Sequence, residues 1–139
     1  MRRAAAIFVA GVTLLLPVAT LYAHHSIAAE FDANKPLTLR GKVAKMEWTN
    51  PHAWIHINVT NPDGSMTTWL IEGGAPSPLL RRGWSKSSLP AGTEVIVVGF
   101  PAKDGATRVN GMDITLTEGR KLFFGSSSAH PGAEDAPAY

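Results

Sequence analysis

From Leu37 onward, apolar and polar positions alternate in short runs separated by turn residues, the pattern of a small all-β domain. The run Leu37-Thr38-Leu39-Arg40-Gly41-Lys42-Val43 puts its aliphatic residues on odd positions, and Gly41 sits where a strand can bend sharply. After Val43 the phase slips to even positions, Met46 and Trp48, which predicts a bulge near Ala44-Lys45. The cleanest alternation is His52 to Val59. Ala53, Ile55, Ile57 and Val59 make an aliphatic face, and His52, Trp54, His56 and Asn58 an aromatic and polar one.

Asn61-Pro62-Asp63-Gly64 is a turn into a third strand, Met66 to Glu72. Gly73-Gly74-Ala75-Pro76 then interrupts the strands. Ser77 as a cap, Pro78 at the first helical position and Gly83 as terminator predict one short helix, which Trp84 to Leu89 extends irregularly. Thr93 to Phe100, with the continuous run Val95-Ile96-Val97-Val98, reads as a buried fourth strand. Lys103-Asp104-Gly105 turns into a fifth, Arg108 to Thr117, and an apolar segment Leu122-Phe123-Phe124 follows. Three strands, a helix and two strands is the element order of the oligonucleotide- and oligosaccharide-binding (OB) fold. The expected fold is therefore mainly β, a small five-stranded OB-like, partly open barrel with one short helix between strands 3 and 4.

The segment before the barrel changes the charge picture. Arg2 and Arg3 precede an apolar run from Ala4 to Val18, the pattern of a secretory signal peptide. The run is shorter than the roughly 20 residues of a membrane-spanning helix. Cleavage is expected after Ala23, by ordinary Sec export, with periplasmic or secreted location and no stable membrane insertion; retention as an N-terminal anchor is the alternative. The whole chain has 13 basic and 11 acidic residues and a formal charge of +2. Without Arg2 and Arg3 the balance is 11 against 11, so the case for binding nucleic acid over a basic surface disappears. There is no cysteine, hence no disulfide framework and no thiolate metal site. The domain plan is 1–23 leader, 24–36 N-terminal arm, 37–124 barrel and 125–139 flexible polar tail. A monomer is expected, with a dimer through exposed strand edges left open.

Cleavage after Ala23 would make His24 the first residue. Its α-amine and imidazole can chelate one ion, as in histidine-brace copper proteins, while His25 offers a competing set through the amine and the intervening amide. Both sets suit Cu(II), which tops the affinity order of divalent first-row ions, and the amine proton is displaced near neutral pH at modest cost. Against this, HHS can be no more than a soluble start to the chain. His52 and His56 share a strand face, but four residues of strand separate them by roughly 13 Å, too far for one ion. His52, at a strand end after Asn50-Pro51, is the candidate third ligand, with an ordinary turn hydrogen bond as the plain alternative. His130 lies in the tail and is discounted.

In the arm, Glu30 and Asp32 flank Phe31. The acids can orient the histidines or ligate metal themselves, but the favoured reading is that Phe31 docks the arm, holding the histidines near the sheet. Trp48 and Trp54 beside His56 suggest a face that stacks a glycan or binds a peptide or an envelope protein. Packing is the commoner use of such rings. Arg81-Arg82 suggest an anion site, set against a solvated helix end. No nucleophile motif or phosphate loop occurs, and copper redox chemistry at His24 is the only enzymatic reading with a motive.

The motifs AHHS (23–26), EFD (30–32), EWTNPHAWI (47–55), LLRRGWSKSSL (79–89) and GRKLF (119–123) together resemble an uncharacterised family of exported bacterial proteins, a domain of unknown function. The resemblance implies export and a small β-rich domain, and supplies no activity. The leading expectation is thus an exported protein that binds copper through a processed N-terminal histidine, in carriage or buffering; the alternative is an interaction module using the Trp/His face.

Overall fold

The computed structural model describes residues 27–126. A single turn, α1 (Ile27–Glu30), leads into six strands: β1 (Leu37–Glu47), β2 (Trp54–Thr60), β3 (Met66–Glu72), β4 (Glu94–Pro101), β5 (Arg108–Leu116) and β6 (Lys121–Phe123). Helix α2 (Pro76–Arg81) lies between β3 and β4. The sheet order is β3-β2-β1-β4-β5-β6, and a parallel pairing of β3 with β5 closes the first five strands into a barrel. The expected OB-like barrel is present. It is closed rather than partly open, and β6 is an added strand made from the start of the C-terminal apolar segment.

Strand β1 serves both halves of the barrel: Leu37 to Lys42 pair with β4 and Lys42 to Glu47 with β2. The register against β2 shifts between Val43 and Lys45, where the change of hydrophobic phase predicts a bulge. The extra residue lets Val43 and then Met46 both pack on the core. A side chain on Gly41 would stand 2.6 Å from the carbonyl oxygen of Asn58, so only glycine lets β2 approach so closely there.

Ile55 and Ile57 are fully buried, with Ile71, Val95, Val97, Val109 and Ile114 around them. Strand β4 is not buried along its whole length: Ile96 is exposed between Val95 and Val97. A run of four β-branched or aliphatic residues marks a strand, but in a one-layer barrel alternate side chains must still point outward.

Helix α2 starts earlier than the sequence suggests. Ala75 is its cap and makes no side-chain bond, Pro76 is at its start, and Ser77 lies inside. Gly83 ends it at φ +83°. Trp84 then turns inward, donating its indole N–H to the Phe123 carbonyl at 2.9 Å and packing on Phe124 with ring centroids 5.1 Å apart. Arg82 donates to the Gly125 carbonyl at 2.9 Å and lies over the Phe123 ring. Arg82 is therefore a tie to the C-terminal segment rather than a solvated helix end, and Gly125 is packed against the barrel.

Candidate functional site

The arm is fixed before the barrel begins. Phe31 is 2 % exposed and bridges Ala102. Around it, Asp32 N–H donates to the Pro101 carbonyl at 2.9 Å and Lys103 N–H to the Glu30 carbonyl at 2.9 Å. The Arg108 guanidinium stands 5.4 Å over the Phe31 ring and 3.6 Å from a Glu30 carboxylate oxygen. An apolar ring, backbone bonds and a cation thus dock residues 27–32 on the β4–β5 hairpin. Asp32 turns the other way, accepting from Asn34 N–H at 3.1 Å and lying 3.7 Å from Lys35.

Strand register builds the surface beside this dock. Across β1, β2, β3 and β5, Glu47 pairs with Trp54, Trp54 with Glu72 and Glu72 with Asn110. The next row is Lys45, His56, Leu70 and Arg108. Because Ile55, Ile71 and Val109 face the core, both rows lie on the outer face. The outer rows are not uniformly exposed: Glu72 is 8 % and Asn110 2 % exposed.

His52 lies just before β2, its Nδ1 in contact with Glu72 Oε1, and its ring is far more exposed than the carboxylate. Nε2, on the opposite edge of the ring, points away from that contact. Burial pushes the Glu72 carboxyl above its usual range. His52 pulls it back, Glu30 raises it further and Arg108 lowers it. His56 has a separate carboxylate, Glu47, at 3.4 Å. Lys45 bonds the same Glu47 oxygen, and this bond holds Glu47 below the usual glutamate range. The two histidines therefore belong to different carboxylates. Asn110 Oδ1 and Arg108 Nε are buried and have no hydrogen-bond partner.

Among the described residues, no three His, Asp or Glu side chains form a metal-binding group. His24 and His25 lie outside the described residues, as does His130. Trp48 is partly buried against the core, and Trp54 lies on the outer row. Two open grooves, of about 490 and 390 Å³, surround Arg40 and Glu94, and neither is lined by His52, Glu72 or Trp54.

Glu72, Arg108 and Asn110 are the site residues that sequence reasoning missed. The alternation Trp69-Leu70-Ile71-Glu72 does place Glu72 on an outward position. Its burial beside His52 and Asn110 depends on the parallel β3–β5 seam, which no local pattern announces.

No helix among the described residues is long and apolar enough to cross a membrane. Comparison with known proteins finds no matching curated protein and no matching solved structure. A family model does match, over residues 13–112, a span that includes the arm, His52, Glu72 and Asn110. The chain belongs to DUF6152, a family of unknown function.

Proposed function

We propose that this chain is exported, loses its leader after Ala23, and binds a transition metal ion, copper(II) in particular, through the new N-terminal His24. His52 supplies a further nitrogen, and His25 the competing arrangement. The observation that carries the reading is the dock of Phe31 and Glu30 close to the His52–Glu72 pair. Glu30 is near enough to Glu72 for its charge to act on that carboxyl. His25 and His24 stand two and three residues before Ile27, within about 7 and 11 Å of chain. The arm's anchor thus limits where the two histidines can travel. The donors are nitrogens, with no thiolate in the chain, a set suited to Cu(II). The role this suggests is copper carriage or buffering in the envelope, by a monomer.

The test uses protein secreted with its own leader and checked by mass for a first residue at His24. One equivalent of copper should give a single nitrogen-rich electron paramagnetic resonance spectrum that survives a weak chelator. Replacing both His24 and His25 with alanine should abolish tight binding, since no imidazole then remains beside the new amine; unchanged affinity would rule out the terminal site.

The second reading is an interaction face for a glycan, peptide or envelope protein. It rests on Trp48, Trp54 and His56, with Trp54 and His56 on the outer rows and Trp48 partly buried against the core. Loss of partner capture in Trp54→Ala, with no response to copper, would favour it.

A further inference from the structure

A buried carboxylate on the outer face of a barrel needs a physical reason. At this position an apolar residue of similar volume would avoid the desolvation cost of a charge. Glu72 is nonetheless 8 % exposed, with Glu30 as a second acid nearby and Asn110 beside it in register. Barrel closure does not require this chemistry, because the β3–β5 seam is made by backbone and by Ile71 and Val109 facing the core.

The contact Glu72 makes is specific: its Oε1 meets Nδ1 of His52, not Nε2. A carboxylate there accepts the Nδ1–H, which puts the proton of a neutral ring on Nδ1 and leaves the lone pair on Nε2. It also fixes the ring plane and raises the basicity of Nε2, as partners behind metal-bound histidines generally do. Trp54 stands opposite Glu72 across the β2–β3 pair.

We propose that Glu72 is a positioning residue for metal binding, holding His52 in the Nδ1–H tautomer so that Nε2 meets an ion brought by the N-terminal arm. The inference rests on the copper reading above and names a residue that reading does not require. In this arrangement Glu72 never touches the ion.

The experiment titrates Cu(II) into leader-processed wild-type protein and into Glu72→Met, Glu72→Gln and His52→Ala. Nitrogen-15 NMR of the histidine rings, without metal, reports the tautomer. Methionine removes the acceptor at similar volume, and glutamine keeps an acceptor without the charge. Glu72→Met should weaken copper binding about ten- to a hundredfold, with His52 moving to the Nε2–H form. Glu72→Gln should keep the Nδ1–H tautomer and lose less affinity. His52→Ala should remove one nitrogen from the copper spectrum. Circular dichroism checks the folds, and if the methionine variant is unfolded, glutamine carries the test through its smaller loss of affinity.

Wild-type protein that binds no copper tightly would overturn the copper reading and this inference together. Tight wild-type binding that depends on His24 and His52, but is equal in folded Glu72 variants, would overturn the inference alone. Weakened binding in Glu72→Met with an unchanged His52 tautomer would also overturn it.

Discussion

At the residue scale, Glu72 is a carboxyl buried on the outer face of the barrel. Its carboxyl is pushed up by burial and is only partly relieved by His52 and Arg108, while Glu30 adds to the rise. A carboxyl with a raised value in the folded chain contributes stability that is fully present below the ordinary glutamate range. That contribution is lost as pH rises through the folded value. In metal-free protein, Glu72→Gln should therefore melt like wild type in acid and gain on it as pH rises past the ordinary carboxylate range. Thermal melts of both proteins from about pH 3.5 to 7 would check this; a constant difference would show that Glu72 is not the group titrating. Sequence reading identified His52 as a candidate ligand from its place at a strand end; it allowed Glu30 and Asp32 an orienting role but favoured docking of the arm through Phe31. The structure gives Glu30 to Arg108, Asp32 to Asn34 and Lys35, and the histidine to Glu72. Proximity in sequence was the only guide available for the first two, and Glu72 is 20 residues from His52 along the chain.

At the scale of elements, the arm and the barrel meet through one buried ring. Burying a phenylalanine is worth about 1.5–3 kcal/mol, and Phe31 is 2 % exposed. Phe31→Ala should release the arm while leaving β1 to β5 folded, because no barrel hydrogen bond passes through that side chain. The Asp32 and Lys103 amides, which bond across the dock, offer a readout. Their hydrogen exchange should be about ten- to a hundredfold faster in the variant, as the loss of that burial energy implies. Equal exchange rates would mean that these backbone bonds suffice to hold the arm. The spans of β3 and β5 to within a residue, the bulge after Val43 and the glycine end of α2 were legible, because each follows from local alternation or turn chemistry, whereas β2 begins at Trp54 rather than His52 and β6 was read only as an apolar segment. The helix start was not: Ser77 has the right side chain for a cap, yet Pro76 already fixes a helical backbone one residue earlier.

At the scale of the molecule, the barrel is closed by pairings between distant parts of the chain. Strand β1 meets β4 through Leu37↔Gly99 to Lys42↔Glu94, and β3 meets β5 through Leu70↔Arg108 to Glu72↔Asn110. Such non-local closure delays the reward of contacts until long loops are fixed, so folding should take milliseconds to seconds. Stopped-flow tryptophan fluorescence, with the buried Trp84 as reporter, would measure it; complete folding in microseconds would contradict the closed topology as the rate-limiting step. The sequence by itself determined the β class, the strand and turn positions, and the helix between β3 and β4, because alternation and turn residues act over a few positions. It also put an aromatic and polar face on β2, with His52 leading into it. Only the tertiary structure decided that β3 lies parallel to β5, that the acid at the end of β3 is buried beside His52, and that Arg108 holds the arm. Those outcomes depend on register between segments tens of residues apart, which periodicity along a single strand does not encode.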